Sequence, residues 1–214
     1  MARVKAKRQY SSALRQQQAS QTRARILDAA QLLFTSRGYA ATTMESIASE
    51  AGVATDTVYA SFRNKAGLLH RLLDVRVGGD DAPVRLIDRE GPQRVKAEPT
   101  QHGQIALFAA DIAQILERAR PVDVIMRGAA AIDPEIAGLR ARMQGFRYDN
   151  LKQFVGWLAD RGPLRGGISE AEAAAIVWTL ASPEVHGLFR DARGWSPERY
   201  LAWLEDTLNR TLLE

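Results

Sequence analysis

The 214-residue chain contains no cysteine. This absence excludes a disulfide scaffold, a thiolate metal site and a cysteine nucleophile, and it fits a reducing cytoplasm. No run of residues approaches the ~20 consecutive apolar positions that a membrane-spanning helix needs. The basic N-terminal region lacks the apolar segment of a secretory signal. We therefore expect a cytoplasmic protein with no membrane partner.

Signals of catalysis and of metal binding are also missing. The three histidines, His70, His102 and His186, lie far apart, and none forms the H-E-x-x-H pair of a zinc enzyme. The glycines of residues 162–167 lack the lysine and the preceding strand of a phosphate-binding loop. The sequence therefore predicts no catalytic residue, no cofactor and no metal site.

No stretch of useful length alternates apolar and polar residues as a strand does, and no repeat is visible. Apolar residues instead recur at helical spacing through most of the chain. Ser169-x-x-Glu172 predicts a capping box, Pro183 and Pro197 predict helix starts, and a short helix is expected after Pro121. We predict an all-α fold.

Positive charge is concentrated in the first third of the chain. Residues 1–76 hold twelve Lys or Arg and five Asp or Glu, whereas the whole chain has a net charge of only +4. Seven of these basic residues lie within residues 1–25, where there is no acid. Clustered Lys and Arg displace the counterions of DNA and supply affinity that does not depend on base sequence. Residues 1–15 are either a solvated, disordered tail or an arm that contacts DNA.

Residues 43–65 have the pattern of a helix-turn-helix. Ile47 and Ala48 end a first short helix that Thr42 and Glu45 are expected to cap, and Gly52 suits the left-handed turn. Ile47, Val53 and Val58 are spaced to fill the small core behind the helix crossing. The outward positions on the first half of the second helix, where a recognition helix meets the major groove, are Thr55, Asp56, Thr57 and Tyr59.

The order I-L-x-A-A-x-x-L-F-x-x-x-G-Y, T-T-x-x-x-I-A-x-x-A-G-V and T-V-Y-x-x-F-x-x-K-x-x-L-L over residues 22–75 resembles the TetR family of repressors. The resemblance implies an N-terminal three-helix DNA-binding domain followed by a helical ligand-binding and dimerisation domain. It also implies phosphate contacts by Thr43, Ser61 and Lys65, and groove contacts by Thr55, Thr57 and Tyr59. Met44 and Asp56 complete the expected DNA-binding set. Asp56 departs from the family, since an acid there repels phosphate although it can accept from cytosine.

Four segments follow from these signals. Residues 1–21 form the basic arm, 22–77 the helix-turn-helix domain, 78–99 a Gly- and Pro-rich connection, and 100–214 the second domain. The resemblance implies that the second domain binds a small effector. Candidate pocket residues, each of which could equally be plain core, are Phe108, Met126, Phe146, Trp157, Trp178 and His186.

The last helices carry the widest apolar faces. Residues 171–181 are rich in alanine, and the C-terminal helix has one leucine stripe. Such faces suit either packing within the chain or a four-helix interface between two copies, the arrangement that the resemblance implies. The predicted interface residues are Ile176, Leu201, Leu204, Leu208 and Leu212.

The function predicted from these features is a homodimeric transcriptional repressor that a small-molecule effector releases from a palindromic operator. Two recognition helices are needed because one reads only a few base pairs. The alternative is a helical small-molecule-binding or interaction protein whose helix-turn-helix is only architectural.

Overall fold

The computed structural model describes residues 2–213, with side chains at residue 15 and residues 17–213. Within these residues every regular element is helical, so the all-α prediction is confirmed. The helices are α1 (Ala2–Ala41), α2 (Met44–Ala51), α3 (Thr55–Phe62), α4 (Lys65–Gly78), α5 (Glu90–Ala97), α6 (Gln101–Ala130), α7 (Pro134–Ala159), α8 (Glu170–Leu180), α9 (Pro183–Gly187) and α10 (Pro197–Leu212). In this part of the chain no helix is long and apolar enough to cross a bilayer.

Helices α1–α4 form the N-terminal head, in which α2 and α3 are the two helices of the helix-turn-helix. Gly52 ends α2 in the left-handed region at φ 64°, a conformation that costs glycine little. Ile47 and Val58 are fully buried behind the crossing, and Val53 is half-buried against the same core. The predicted crossing is therefore present at the predicted residues.

The predicted cap of α2 is displaced by one residue. Thr43, not Thr42, begins the helix, and its capping box is closed by Ser46 rather than by Glu45. Thr42 is instead buried, and its hydroxyl donates to the carbonyl oxygens of Leu33 and Gly38 at the end of α1. The hydroxyl is thus satisfied in the corner between α1 and α2, and it cannot also cap α2.

The core of the head continues into the second domain. Leu68, Leu69 and Leu72 of α4 lie in one apolar cluster with Val122 and Met126 of α6. This cluster runs across the boundary that the sequence places at residue 77. Helix α4 therefore belongs to both units, with its start next to α3 and its length against α6.

The helices of residues 78–130 differ from the sequence-based expectation in two places. The connecting segment 78–99 contains helix α5, which packs on α6. Pro121 starts no new helix, because α6 runs through it without a break. The proline ring is exposed, while Val122 and Leu116 on either side are buried and hold both halves of the helix in place.

The C-terminal helix packs into the core of its own chain. Helix α10 lies against α6 and α8, and three leucines of its stripe are enclosed there. Leu204, Leu208 and Leu212 each have 0% of their surface exposed. This corrects their assignment to a subunit interface, since a side chain already buried by its own chain has no surface left for a partner. Ile176 and Leu201 are half-buried and retain some outward surface.

The side chains of Arg3, Lys5, Lys7 and Arg8 in the basic arm lie outside the described residues. The predicted contact of the arm with DNA therefore stays a prediction.

Candidate functional site

Helix α3 presents a polar surface to solvent. Asp56, Tyr59 and Ser61 are exposed, and Thr55 and Thr57 are half-buried beside them. The Tyr59 hydroxyl donates to Glu45 Oε1 of α2 at 3.4 Å, and Ser61 Oγ donates to its own helix at the Thr57 carbonyl. The first turn of α3 has no side-chain cap, and the N–H of Thr57 donates to the Ala54 carbonyl oxygen.

Met44 does not belong to this surface. Only 5% of its area is exposed, and its side chain packs in the core of the head with Ile47. Thr43, the residue before it, is exposed at the N-terminus of α2. The predicted contact of the Met44 side chain with DNA is therefore wrong, while Thr43 is accessible.

Lys65 is partly engaged inside the head. Its Nζ donates to the carbonyl oxygens of Tyr39 at 2.9 Å and Thr42 at 3.0 Å, and it lies 4.3 Å from the centroid of the Tyr39 ring. These contacts join the start of α4 to the corner between α1 and α2. One of the three ammonium donors remains for a phosphate.

We expect Lys65→Ala to lower the free energy of unfolding of the head. Two carbonyl oxygens lose a charged donor, and a hydrogen bond to a charged group contributes about 1.5–3 kcal/mol. Thermal unfolding followed by circular dichroism measures the loss. Lys152→Ala, at an exposed position of α7, is the matched control. An unchanged melting temperature in Lys65→Ala would show that these contacts do not stabilise the head.

A second set of contacts joins the head to the corner between α6 and α7. The Tyr39 hydroxyl donates to Asp133 Oδ2 at 3.3 Å, and Asn64 Nδ2 donates to Glu135 Oε1 at 3.2 Å. Burial, reinforced by the Asp133 carboxylate, raises the pKa of Tyr39 well above its usual value. Asn64 also caps α4 immediately after the recognition helix. A movement of this corner would therefore reach α3 directly.

The second domain encloses a cavity of about 490 Å³. Its wall is built by α4, α5, α6 and α7, and its surface is mostly apolar. The volume lies within the range of about 300–1,000 Å³ that is typical of small-molecule sites. His70, Leu73 and Val77 of α4 line the cavity, which places a ligand against the helix that follows the recognition helix.

Four of the predicted pocket residues line this cavity. Phe108 and Met126 do so from α6, and Phe146 and Trp157 from α7, although Phe146 is 68% exposed at the rim. Phe108 stacks on Phe154 with a centroid distance of 4.0 Å, so an apolar ligand would meet an aromatic floor.

The other two predicted pocket residues lie elsewhere. Trp178 points between α7 and α8, where the guanidinium of Arg147 lies 5.0 Å from its ring centroid. His186 is buried against the ring of Tyr200, and its Nε2 is 3.3 Å from Glu117 Oε2. Burial lowers the pKa of His186 despite this carboxylate. Both side chains pack within the domain and do not face the cavity.

Charged residues of the wall were not predicted. Burial raises the pKa of Asp74, Asp111 and Asp123, and it lowers the pKa of Arg147 to about 10. A visible signal existed for one of them. Asp111 follows Phe108 by three residues, so the helical period places its carboxyl on the apolar face of α6.

Comparison with known proteins agrees with this architecture. The family model described as "Bacterial regulatory proteins, tetR family" matches residues 26–72, which include α2 and α3. The transcriptional regulator TtgR of Pseudomonas putida is 30% identical over 178 residues, which cover 81% of each chain.

Two solved structures have a similar fold. NalD, described as the secondary repressor of the MexAB-OprM multidrug efflux pump in Pseudomonas aeruginosa, superposes with a TM-score of 0.66 at 22% identity, covering 92% of this chain and 98% of NalD. SmeT in complex with triclosan superposes with a TM-score of 0.69 at 24% identity, covering 90% of this chain and 92% of SmeT. The helix-turn-helix head, the helical second domain and the relationship to TtgR lead to one conclusion: the chain belongs to the TetR family of bacterial transcriptional regulators.

Proposed function

We propose that this regulator is a homodimeric repressor that binds a palindromic operator and leaves it when a small apolar or amphipathic molecule fills the cavity. The observation that carries the proposal is the position of α4. Its first residue, Lys65, is held against the head, and His70, Leu73, Asp74 and Val77 along its length line the cavity. One rigid helix thus touches both the DNA-reading unit and the ligand site.

The coupling needs a difference in affinity between two arrangements of the helices. A ligand releases DNA only if it binds the DNA-incompetent arrangement more tightly, by a coupling of about 1–3 kcal/mol in typical cases. The contacts of Tyr39 with Asp133 and of Asn64 with Glu135 offer a second path from the cavity to the head. The triclosan complex of SmeT supports a ligand site in this fold.

The decisive experiment has two steps. Fragments of genomic DNA that the protein retains are selected and sequenced, and a chemically diverse set of small molecules is then screened for release of the winning fragment. We expect a two-fold symmetric site with half-sites about one helical turn apart. Binders that never change operator affinity would contradict effector-gated repression and leave a binding protein with an architectural helix-turn-helix.

The surface of α3 gives a prediction about specificity. Tyr59→Ala should reduce the preference for operator over random DNA, because Tyr59 is 44% exposed and stands on the face that would enter the groove. A lost base contact costs about 1–3 kcal/mol of discrimination. Competition binding with operator and random duplexes measures the ratio. An unchanged ratio of operator affinity to random-duplex affinity would show that Tyr59 makes no specific contact with a base.

Lys65 gives the matching prediction about phosphate. Lys65→Ala should weaken binding to operator and random duplexes alike and lower the slope of log K against log salt by about one unit. Since the same variant is expected to unfold more easily, binding is measured well below its melting temperature. A slope equal to that of wild type would show that Lys65 does not contact phosphate and only binds the Tyr39 and Thr42 carbonyl oxygens.

A further inference from the structure

The α4–α5 linker, residues 79–89, runs from the end of α4 to the helix that forms one wall of the cavity. Leu86 and Arg89 of the linker line the cavity, and so do Gly91 and Val95 of α5. Helix α5 packs on α6 and α7. A ligand that widens the cavity on this side would therefore displace α5, and the end of the linker would move with it.

Asp81 binds the linker to two helices of the head. Its Oδ2 accepts from Nε of Arg23 in α1 at 2.8 Å, and its Oδ1 accepts from Nε of Arg71 in α4 at 2.7 Å. Nη2 of Arg71 also donates to the Asp81 carbonyl oxygen at 2.9 Å. Although burial raises the pKa of Asp81, the hydrogen bonds from the two guanidinium groups lower it below its usual value. The carboxylate is therefore charged at neutral pH and holds α1 and α4 together.

Asp80, the preceding residue, binds the other end of the linker. Its two carboxylate oxygens accept from the guanidinium of Arg89 at 2.9 and 3.0 Å, and Arg89 also donates to the Ala82 carbonyl oxygen. Arg89 is the N-cap residue of α5, and its side chain is only 17% exposed. A bidentate pair of this kind fixes orientation as well as distance. The start of α5 is thus tied to Asp80.

Because Asp80 and Asp81 are adjacent, their contacts form one continuous chain. It leads from the start of α5 through Arg89 to Asp80, and from Asp81 to Arg23 of α1. Nη2 of Arg89 also lies so close to Gly78, the last residue of α4, that a Cβ there would be 2.9 Å away from it. The linker therefore has little room to absorb a movement of α5 by itself.

We propose that the α4–α5 linker transmits the position of α5 to the head, with Asp80 and Asp81 as positioning residues. The inference rests on the proposed function, since it names how the cavity regulates operator binding. Displacement of α5 moves Arg89, the ion pair carries the movement to Asp80, and Asp81 moves Arg23 and helix α1. Helix α1 packs on α2, the first helix of the helix-turn-helix. This route runs beside the one through α4, and substitution of Asp80 breaks it without touching the wall of the cavity.

The test mimics the displacement of α5 without a ligand. A Cβ at Gly91 would collide with Asp111 Oδ2, which is enclosed where α5 meets α6. A leucine side chain is larger still, so Gly91→Leu should push α5 away from α6. We expect this variant to bind the operator about tenfold more weakly than wild type, a change within the usual range of couplings between sites. Fluorescence anisotropy with the operator selected from genomic DNA measures the affinity.

Asp80→Ala removes the link and should restore the operator affinity of the Gly91→Leu variant. By itself Asp80→Ala should bind the operator as wild type does, because the head keeps its contacts with Asp81. Two substitutions that only destabilise the fold would lower the affinity further when combined. If circular dichroism shows that Gly91→Leu does not fold, Gly91→Ala, with its smaller side chain, takes its place in the same comparison. A double variant that binds as weakly as the folded position-91 variant alone, or a folded position-91 variant that binds as tightly as wild type, would overturn the inference.

Asp88→Ala is the matched control. Asp88 pairs with Arg85 within the same linker, and neither of these two side chains lines the cavity. The substitution should not restore operator binding to the Gly91→Leu variant. Restoration by Asp88→Ala as well would show a general loosening of the linker and would reject the role of Asp80.

The small-molecule screen tests the proposed function separately, because the comparison of variants uses no effector. A screen in which no compound releases the operator would contradict effector-gated repression and leave the coupling between α5 and the head standing. A screened compound that releases Asp80→Ala from the operator as readily as wild type would uphold the proposed function and reject the linker as its route.

Discussion

Leu204→Glu should prevent the second domain from folding. Leu204 is fully buried where α10 meets α6 and α8, and it lies in a cluster of buried apolar side chains. Burial of an unpaired charge costs several kcal/mol, and the lost side-chain packing adds to it. The sum is comparable with the whole stability of a domain, which is about 5–15 kcal/mol.

Far-ultraviolet circular dichroism and thermal unfolding measure this effect. Leu204→Ala should be milder, with a loss of about 2–5 kcal/mol, because it leaves a cavity but introduces no charge. Ala202→Glu places the same carboxylate on the exposed side of α10 and should keep the native helix content. If the Leu204→Glu variant folds and melts like wild type, the burial of Leu204 by its own chain is contradicted and its assignment to a subunit interface stands.

The leucine stripe shows what periodicity can establish and what it cannot. Leu204, Leu208 and Leu212 follow one another at four-residue spacing, which predicts an amphipathic helix with one buried face. The spacing is the same whether the covering surface belongs to the same chain or to a partner. Only the placement of α6 and α8 over α10 shows that the chain covers these residues itself.

The head was the most predictable part because its signals are local. A glycine in the turn and apolar residues at Ile47 and Val58 determine the crossing within about twenty residues of sequence. Met44 and Lys65 were harder, since each depends on packing across the head. Met44 turns inward with Ile47, and Lys65 reaches back to carbonyl oxygens of the corner between α1 and α2.

The cavity could be predicted only in part. Aromatic residues on α6 and α7 indicate some of its wall, but the Gly- and Pro-rich composition of residues 78–99 predicts a connection where α5 lies, because Gly and Pro are poor helix formers. Tertiary contact with α6 overrides that propensity. Asp111 of this wall lies on the apolar face of α6, and only the fold shows that its Oδ2 is buried beneath α5.

We propose that dimerisation uses the outward faces of α8 and α10. Ala171, Ala175 and Thr179 line the exposed side of α8, and Ala202 lies on the exposed side of α10. Small side chains let helices from two copies approach closely, and half-buried Ile176 and Leu201 flank them with apolar surface. A two-fold axis through this face would place the same residues opposite each other.

Ala175→Glu combined with Ala202→Glu should therefore give a folded monomer that has lost most of its operator affinity. Like charges would meet across the axis, and each head would bind its half-site alone. Two linked heads gain about 10²–10⁴-fold in avidity, and the monomer forfeits that gain. Sedimentation velocity measures the mass, and a titration with palindromic and half-site duplexes measures the affinity.

The control variant is Ala97→Glu with Ala141→Glu. It adds the same charge at exposed positions of α5 and α7 and should leave the dimer intact. If the first pair remains dimeric and binds the palindrome as wild type does, the two copies meet through another face.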